Sequence, residues 1–208
     1  MRPMNGSKPG RIMSLWESLP CLNIRQAGYL GLLSLAFFIV CWMIGAFADE
    51  DWVIFENNVC HLGVSEVDFV RIMYPISCTL TGIGIAIFGY SVGRVCDRRL
   101  ERIGYYLCLP LGVSLIAIGL IDIDTSLTIH MVFVYSMCIS AGIAIGFSGI
   151  EDAKKGNWLS LTYLFVVLAI VAYLTIYHME YQQFFALMAM FFWLTVKCCF
   201  FITKGRVY

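Results

Sequence analysis

The side chains in this sequence best suited to chemistry are imidazoles and carboxylates. Its three histidines are His61, His130 and His178. With carboxylates such as Asp122 and Asp124 they supply the ligand types that suit zinc or a similar metal, and an open coordination position on such a metal generates a hydroxide nucleophile. The spacing does not preset such a site. Neither HExxH nor HxxxH occurs, so no two of these ligands share one helix face by sequence alone. His61, His130 and His178 are therefore candidate metal ligands set against a plainer reading, in which they are boundary histidines hydrogen-bonded to loop backbone. The plainer reading is preferred, so no cofactor is expected and zinc is the alternative. Nucleophilic catalysis has less support. No GxSxG motif is present, and Ser65 near His61 and Asp68 is ordinary loop composition. The nine cysteines contain no CxxC pair. Cys41, Cys78, Cys108, Cys138, Cys198 and Cys199 lie in or beside apolar runs and read as packing thiols. Acylation of Cys21, Cys96, Cys198 and Cys199 is the alternative.

The elements that must position these residues are membrane helices. The chain has 208 residues, of which 60% are hydrophobic and 13% charged, and its mean hydropathy is +0.81. Soluble domains carry roughly 25% charged residues, so a water-soluble or disordered chain is excluded. With zero net charge, no basic surface for nucleic acid is expected. Six segments approach the roughly 20 apolar residues a crossing needs: 27–47, 70–93, 104–121, 127–150, 159–177 and 184–203. Their continuous runs, without alternation, exclude barrel strands. The expected fold is all-α, a polytopic transmembrane bundle of six helices spanning 27–203, with tails at 1–26 and 204–208.

Basic residues set the orientation. Arg2, Lys8, Arg11 and Arg25 precede the first span, Arg94, Arg98, Arg99 and Arg102 follow the second, Lys154 and Lys155 follow the fourth, and Lys204 and Arg206 follow the sixth. With six crossings all of these fall on one side, and Arg71 alone falls on the other. The positive-inside rule then places both termini in the cytoplasm of a cell-membrane protein. Lys197, late in the sixth span, is expected to snorkel to the same side. The opposite side holds Asp49, Glu50, Asp51, Glu56, Glu66, Asp68, Asp122, Asp124 and Glu180, together with all three histidines. No cleavable signal peptide is expected, because Asp49-Glu50-Asp51 after the first apolar run is not a small-residue cleavage site. The N-terminal tail is read as cytoplasmic, with a short interfacial helix around 12–19. Its sequon Asn5-Gly6-Ser7 would then lie on the wrong side for glycosylation.

Two spans carry a packing signal. Gly82, Ala86, Gly89 and Gly93 recur every three or four residues, as do Ser136, Ser140, Ala144 and Ser148. Small side chains let helix backbones approach where lipid removes the hydrophobic drive. These faces read as the internal seam of the bundle, with a dimer interface as the alternative. The centres of the spans lack Asp, Glu, Lys, Arg and His, which disfavours an ion-coupled transporter. Pro75 and Pro110 each lie about a turn inside a span's start, where proline is tolerated. The turn 122–126 is short enough to make spans three and four an antiparallel hairpin. It brings Asp122, Asp124 and His130 close together. The first outer loop, 48–69, is expected to lay a short element over the mouth of the bundle.

Two motifs resemble a known family. One is Asn57-Asn58-Val59-Cys60-His61-Leu62-Gly63, ahead of the second span. The other is Leu111-Gly112-Val113, then Gly119-Leu120-Ile121-Asp122, then His130. The pattern resembles the domain of unknown function 998 family, six-span membrane proteins of bacteria and archaea, from the first span to the sixth. The resemblance implies no settled activity. It does imply that Asn57, Leu62, Gly63, Asp122 and His130 matter together. Three functions follow as expectations. The first is non-enzymatic binding of a membrane lipid or a partner helix, through the seam and an outer polar pocket of Asn57, His61, Asp122, Asp124, His130 and His178. The second is a metal-dependent enzyme acting on lipid head groups at the outer face. The third is a facilitator for a small neutral substrate, with Ser136, Ser140, Thr79 and Thr81 lining a polar cavity. A homo-oligomer or a membrane-protein partner fits the first of these.

Overall fold

The computed structural model describes residues 22–54, 56–177 and 179–205. The expected tail helix at 12–19, the sequon, Cys21 and His178 lie outside the described residues. Among the described residues the chain is all helical. Its elements are α1 (Ile24–Ala48), a 3-10 helix (Val59–Val64), α2 (Asp68–Val95), α3 (Arg99–Tyr106), α4 (Cys108–Leu120), α5 (Ile123–Lys154), α6 (Leu159–Tyr177) and α7 (Met179–Lys204).

Local chemistry sets the helix ends. Asn23 starts α1 with a capping box: its side chain accepts from the N–H of Gln26 at 2.9 Å, and the Gln26 side chain accepts from the N–H of Asn23 at 3.1 Å. Pro75 sits within the first turns of α2 and does not interrupt it. The third apolar segment differs from expectation. It is two helices meeting at Leu107, and the first begins at Arg99, several residues before the expected start at 104. Hydropathy could not show this, because α3 is amphipathic. It buries Glu101, Gly104 and Tyr105 and exposes Arg99 and Arg102.

Each long helix packs on the next, in the order α1, α2, α4, α5, α6, α7, and α7 returns to α1 to close a ring. α3 wedges between α2 and α5 at one end. The α2–α4 contact is the most extensive in the protein. Inside the ring, Phe88 of α2 meets Tyr105 of α3 edge-on at 6.1 Å, and Tyr105 meets Phe201 of α7 at 5.6 Å. Nearer the other end, Phe38 of α1 meets Phe191 of α7 at 5.1 Å.

Large apolar side chains also cover the outside, including Leu33, Phe47, Ile72, Val113, Leu120, Val132, Ile139, Phe165 and Ile176. Water would not tolerate such a surface on a monomer, and lipid would. Among the described residues, five helical stretches are long and apolar enough to cross a bilayer: α1, α2, the α3–α4 pair, α5 and Gln183–Lys204 of α7. α6 has 19 residues, and its stretch Leu159–Leu174 is a shorter apolar helix. The ring has a basic end, with the loops at 96–98 and 155–158, and an acidic end, with the loop at 49–67 and the turn at 121–122.

Candidate functional site

The acidic end was the expected site, and its polar residues take up structural tasks. Asp122 caps α5, its carboxylate accepting from the N–H of Thr125 at 2.6 Å. Hydrogen bonds from the side chain and backbone of Thr125 hold that carboxyl below its ordinary range, and the nearby His130 lowers it further. The short turn brings His130 to the same place. Its Nδ1 lies 2.7 Å from the carbonyl of Ile121. A carbonyl only accepts, so Nδ1 carries the proton. Nε2 belongs to a residue only 1% exposed and has no hydrogen-bond partner among the described residues. Asp124 is exposed on the first turn of α5.

The first loop keeps its residues to itself. The Asn57 side chain accepts from the N–H of Val53 at 2.7 Å, and the indole N–H of Trp52 donates to the carbonyl of Asn58 at 3.1 Å. Leu62 is buried against Gly45 of α1, and Gly63 lies against the ring of Tyr74, where a Cβ would come within 3.0 Å. The Leu-Gly pair thus seats the 3-10 helix on α1 and α2. His61 is half-buried on that element. Among the described residues, no hydrogen bond or ion pair joins Asn57 or His61 to Asp122, Asp124 or His130, and no group of three or more His, Cys, Asp or Glu could hold a metal ion. A cavity of about 50 Å³ lies beneath, lined by Phe38, Val59, Cys60, Tyr74, Gln183 and Leu187 among others. It has room for little beyond ordered water. Burial pushes the Cys60 thiol up to about 11, so it stays protonated and is a poor nucleophile.

The small residues lie at helix contacts. A Cβ on Gly82 would meet the carbonyl of Gly112 at 2.5 Å, and one on Gly112 would run into the carbonyl of Gly82. Ala86 borders Gly112, a Cβ on Gly89 would strike Cys108 and Tyr105, and one on Gly93 would strike the ring of Tyr106. In α5, the Ser136 hydroxyl pairs with Ser114 of α4 at 3.1 Å. Ser140, Ala144 and Ser148 are buried, and Ala144 borders Gly104 of α3. Thr81 donates to the carbonyl of Ser34 at 3.0 Å.

The basic end holds what hydropathy concealed. A half-enclosed cavity of about 730 Å³ lies among α3, α5, α6 and α7, within the roughly 300–1,000 Å³ usual for ligand pockets. Its polar side is built from ion pairs. Lys197 Nζ reaches Asp152 Oδ2 at 2.8 Å, and the Ser160 hydroxyl donates to the same oxygen at 2.6 Å. Lys155 faces Glu101 at 3.4 Å. Glu151 accepts from Arg98 at 3.0 Å and from Lys154 at 2.7 Å. Lys197 thus reaches toward the basic end, the side expected of it, and meets a carboxylate there rather than water. Lys197 is 8% exposed and held there by that carboxylate, because an ammonium with an available partner gains more from that pair than from reaching past apolar neighbours. The apolar side is Tyr163, Phe192, Trp193, Val196 and Phe200. From Phe192 to Phe201 along α7 the cavity reaches roughly 14 Å into the bundle, at 1.5 Å per residue.

Reading charge for orientation alone treats Arg98, Lys155 and Lys197 as topology markers and passes over Glu101, Glu151 and Asp152. The available signal was the mixing of signs. Orientation needs only the cations, and the three carboxylates among them called for another explanation.

No curated protein and no solved structure matches the chain. A family does, under the description protein of unknown function (DUF998), and its match covers residues 32–199. The match runs from α1, through the seam and most of the walls of both cavities, into the last turns of α7, and the chain belongs to the DUF998 family.

Proposed function

We propose that this is a six-crossing membrane protein, with both termini and the basic loops in the cytoplasm, that binds a membrane lipid without transforming it. The lipid occupies the cavity at the basic end. The observation that carries the reading is the make-up of that cavity. Its rim is an ion-paired cluster at loop level, and its depth is aromatic and aliphatic over about half the thickness of the roughly 30 Å hydrocarbon core. A soluble metabolite has no use for such depth, whereas a lipid matches it end for end. α6 supports the reading further, since among the described residues its main packing is on α5 and α7, and it turns much of its surface outward. A chain from the bilayer can reach the cavity beside it.

The test is mass spectrometry of lipid retained through detergent purification. The wild type is expected to hold about one lipid per protein, and Val196→Trp, which fills the cavity, is expected to lose it while staying monodisperse in size-exclusion chromatography. Equal retention by both proteins overturns the assignment of the cavity.

One observation favours a second reading, a metal centre at the acidic end. An imidazole fixed through Nδ1 presents Nε2 for ligation, and Nε2 of His130 is buried without a hydrogen-bond partner among the described residues. That reading expects about one equivalent of zinc in purified protein and its loss in His130→Ala. Metal-free protein of full stability removes it.

A further inference from the structure

The walls of the cavity at the basic end carry two donors that the protein leaves unused. Tyr105 and Trp193 both line it. They are 1% and 3% exposed. Among the described residues, neither Oη of Tyr105 nor Nε1 of Trp193 has a hydrogen-bond partner. A buried donor left so is costly. The hydroxyls of Ser91 and Ser148 are also buried without a partner, but a serine in a helix can turn back to a carbonyl of its own preceding turn. A phenol or an indole cannot. The Tyr105 ring is held in place besides, edge-on to Phe88 at 6.1 Å and steeply inclined to Phe201 at 5.6 Å.

The helices set where these donors lie. Glu101 and Tyr105 are one turn apart on α3, and Lys197 and Trp193 are one turn apart on α7. α3 enters the bundle from the basic loop and α7 returns to that end. On each helix the donor therefore lies about 6 Å further into the bundle than the charge, at 1.5 Å per residue. The charged rim engages itself: Lys197 and Ser160 both bind Asp152, and Glu151 accepts from Arg98 and Lys154. It sets no requirement on the charge of a head group. The layer beneath it does set one, for acceptors. Phe192 and Val196 line the apolar remainder, which suits hydrocarbon. A lipid with acyl ester carbonyls just below its head group, and chains below those, matches this order.

We infer that the cavity recognises its lipid by the acyl linkage: it takes an ester-linked glycerolipid whose carbonyl oxygens accept from Tyr105 and Trp193. This rests on the lipid-binding reading above, and a failure of either can be told from a failure of the other.

The experiment titrates the purified full-length protein in dodecyl maltoside, a detergent without carbonyls. The ligands are dipalmitoyl phosphatidylcholine, its dihexadecyl ether analogue with the same head and chain length, and palmitate. Bound ligand is read by native mass spectrometry, and melting temperature is followed in parallel. The ester lipid is expected to saturate one site about tenfold more tightly than the ether lipid, the difference typical of one or two neutral hydrogen bonds. Palmitate is expected to bind no better than the ether lipid. Tyr105→Phe should lower the ester-to-ether ratio severalfold and hold or raise the melting temperature of lipid-free protein, because it removes only an unpartnered hydroxyl. Trp193→Phe should lower the ratio as well, and it carries the test should Tyr105→Phe unfold. A change that merely deforms the cavity weakens both lipids alike and leaves the ratio where it was. Equal affinity of the wild type for the two lipids overturns the linkage inference and leaves lipid binding standing. A ratio unchanged in both variants overturns the assignment to these donors. Palmitate binding as tightly as the ester lipid overturns the glycerolipid. No saturable lipid at all overturns both readings.

Discussion

Asp122 carries more of the acidic end than its place in a five-residue turn suggests. Its carboxylate takes an otherwise unpaired N–H at the start of α5, and its charge lies at the positive end of that helix's dipole. A folded-state pKa held down by Thr125 fixes the sign of the pH dependence. The stabilisation is fully present above the unfolded carboxyl value, about 3.9, and is lost as pH falls through the lower folded value. Asp122→Ala is expected to cost about 1 kcal/mol at neutral pH, the usual loss for a removed cap. In melts of detergent-purified protein the gap from wild type should narrow only at pH values below the ordinary carboxyl range. A gap that closes between pH 5 and 7 would mean that a different group titrates. The closeness of Asp122 and His130 was readable from the length of the turn. That His130 spends its Nδ1 on the carbonyl of Ile121 was not, because a hydrogen bond to backbone leaves no mark in side-chain spacing.

The helix pair α2 and α4 has its tolerance set by glycine. At Gly89 a Cβ would collide with Cys108 and with the carbonyl of Tyr105, and the backbone can relieve neither without separating the helices. Gly89→Val is expected to cost about 1–3 kcal/mol or more, the range for an overpacked contact, and to appear as loss of monodisperse protein in size-exclusion chromatography. Gly142, on α5, meets nothing within 4 Å. Gly142→Ala should leave the chromatogram unchanged and hold or raise the melting temperature, by up to about 1 kcal/mol of helix propensity. If the two variants behave alike, close approach is not what the glycines supply. The face on α2 was legible from its spacing. Its partner was not, since a periodic row names a face and leaves open which helix meets it. Gly112, Gly119 and the break at Leu107 complete the contact from the α4 side. The start of α5 was legible in part, since the expected span begins at 127, directly after the break in the helix. Ser126 adopts extended backbone (φ −166°, ψ 99°) within the helix, and its hydroxyl accepts from the N–H of Ile129 at 3.5 Å. Asp122 and Ser126 thus act as successive caps, so the residues expected as a turn at 122–126 already carry the first turn of α5.

For the whole molecule, membrane residence was plain in composition, but orientation rests on charge alone and the number of crossings rests on α6. Nineteen helical residues extend about 28 Å, just enough for a hydrocarbon core of roughly 30 Å. The ring α1–α2–α4–α5–α6–α7 closes with α7 beside α1. If α6 crosses, Lys204 is on the side of Arg25, and the ion pairs joining Lys197 to Asp152 and Lys155 to Glu101 gather the cytoplasmic ends of three spans. Those pairs require Asp152, Lys155, Glu101 and Lys197 to lie at one level of the bilayer, as they do only when α7 runs back toward the basic loops. Single cysteines, introduced after Cys21, Cys60, Cys138 and Cys199 are replaced by alanine, test this with a membrane-impermeant maleimide on intact cells. Asp51→Cys and Glu180→Cys should label before lysis, and Asp97→Cys and Trp158→Cys only after it. Labelling of Glu180→Cys with the lysis-dependent pair would leave α6 on one face of the membrane. The cavity would then lose its bilayer-side wall, and with it the route by which a lipid enters.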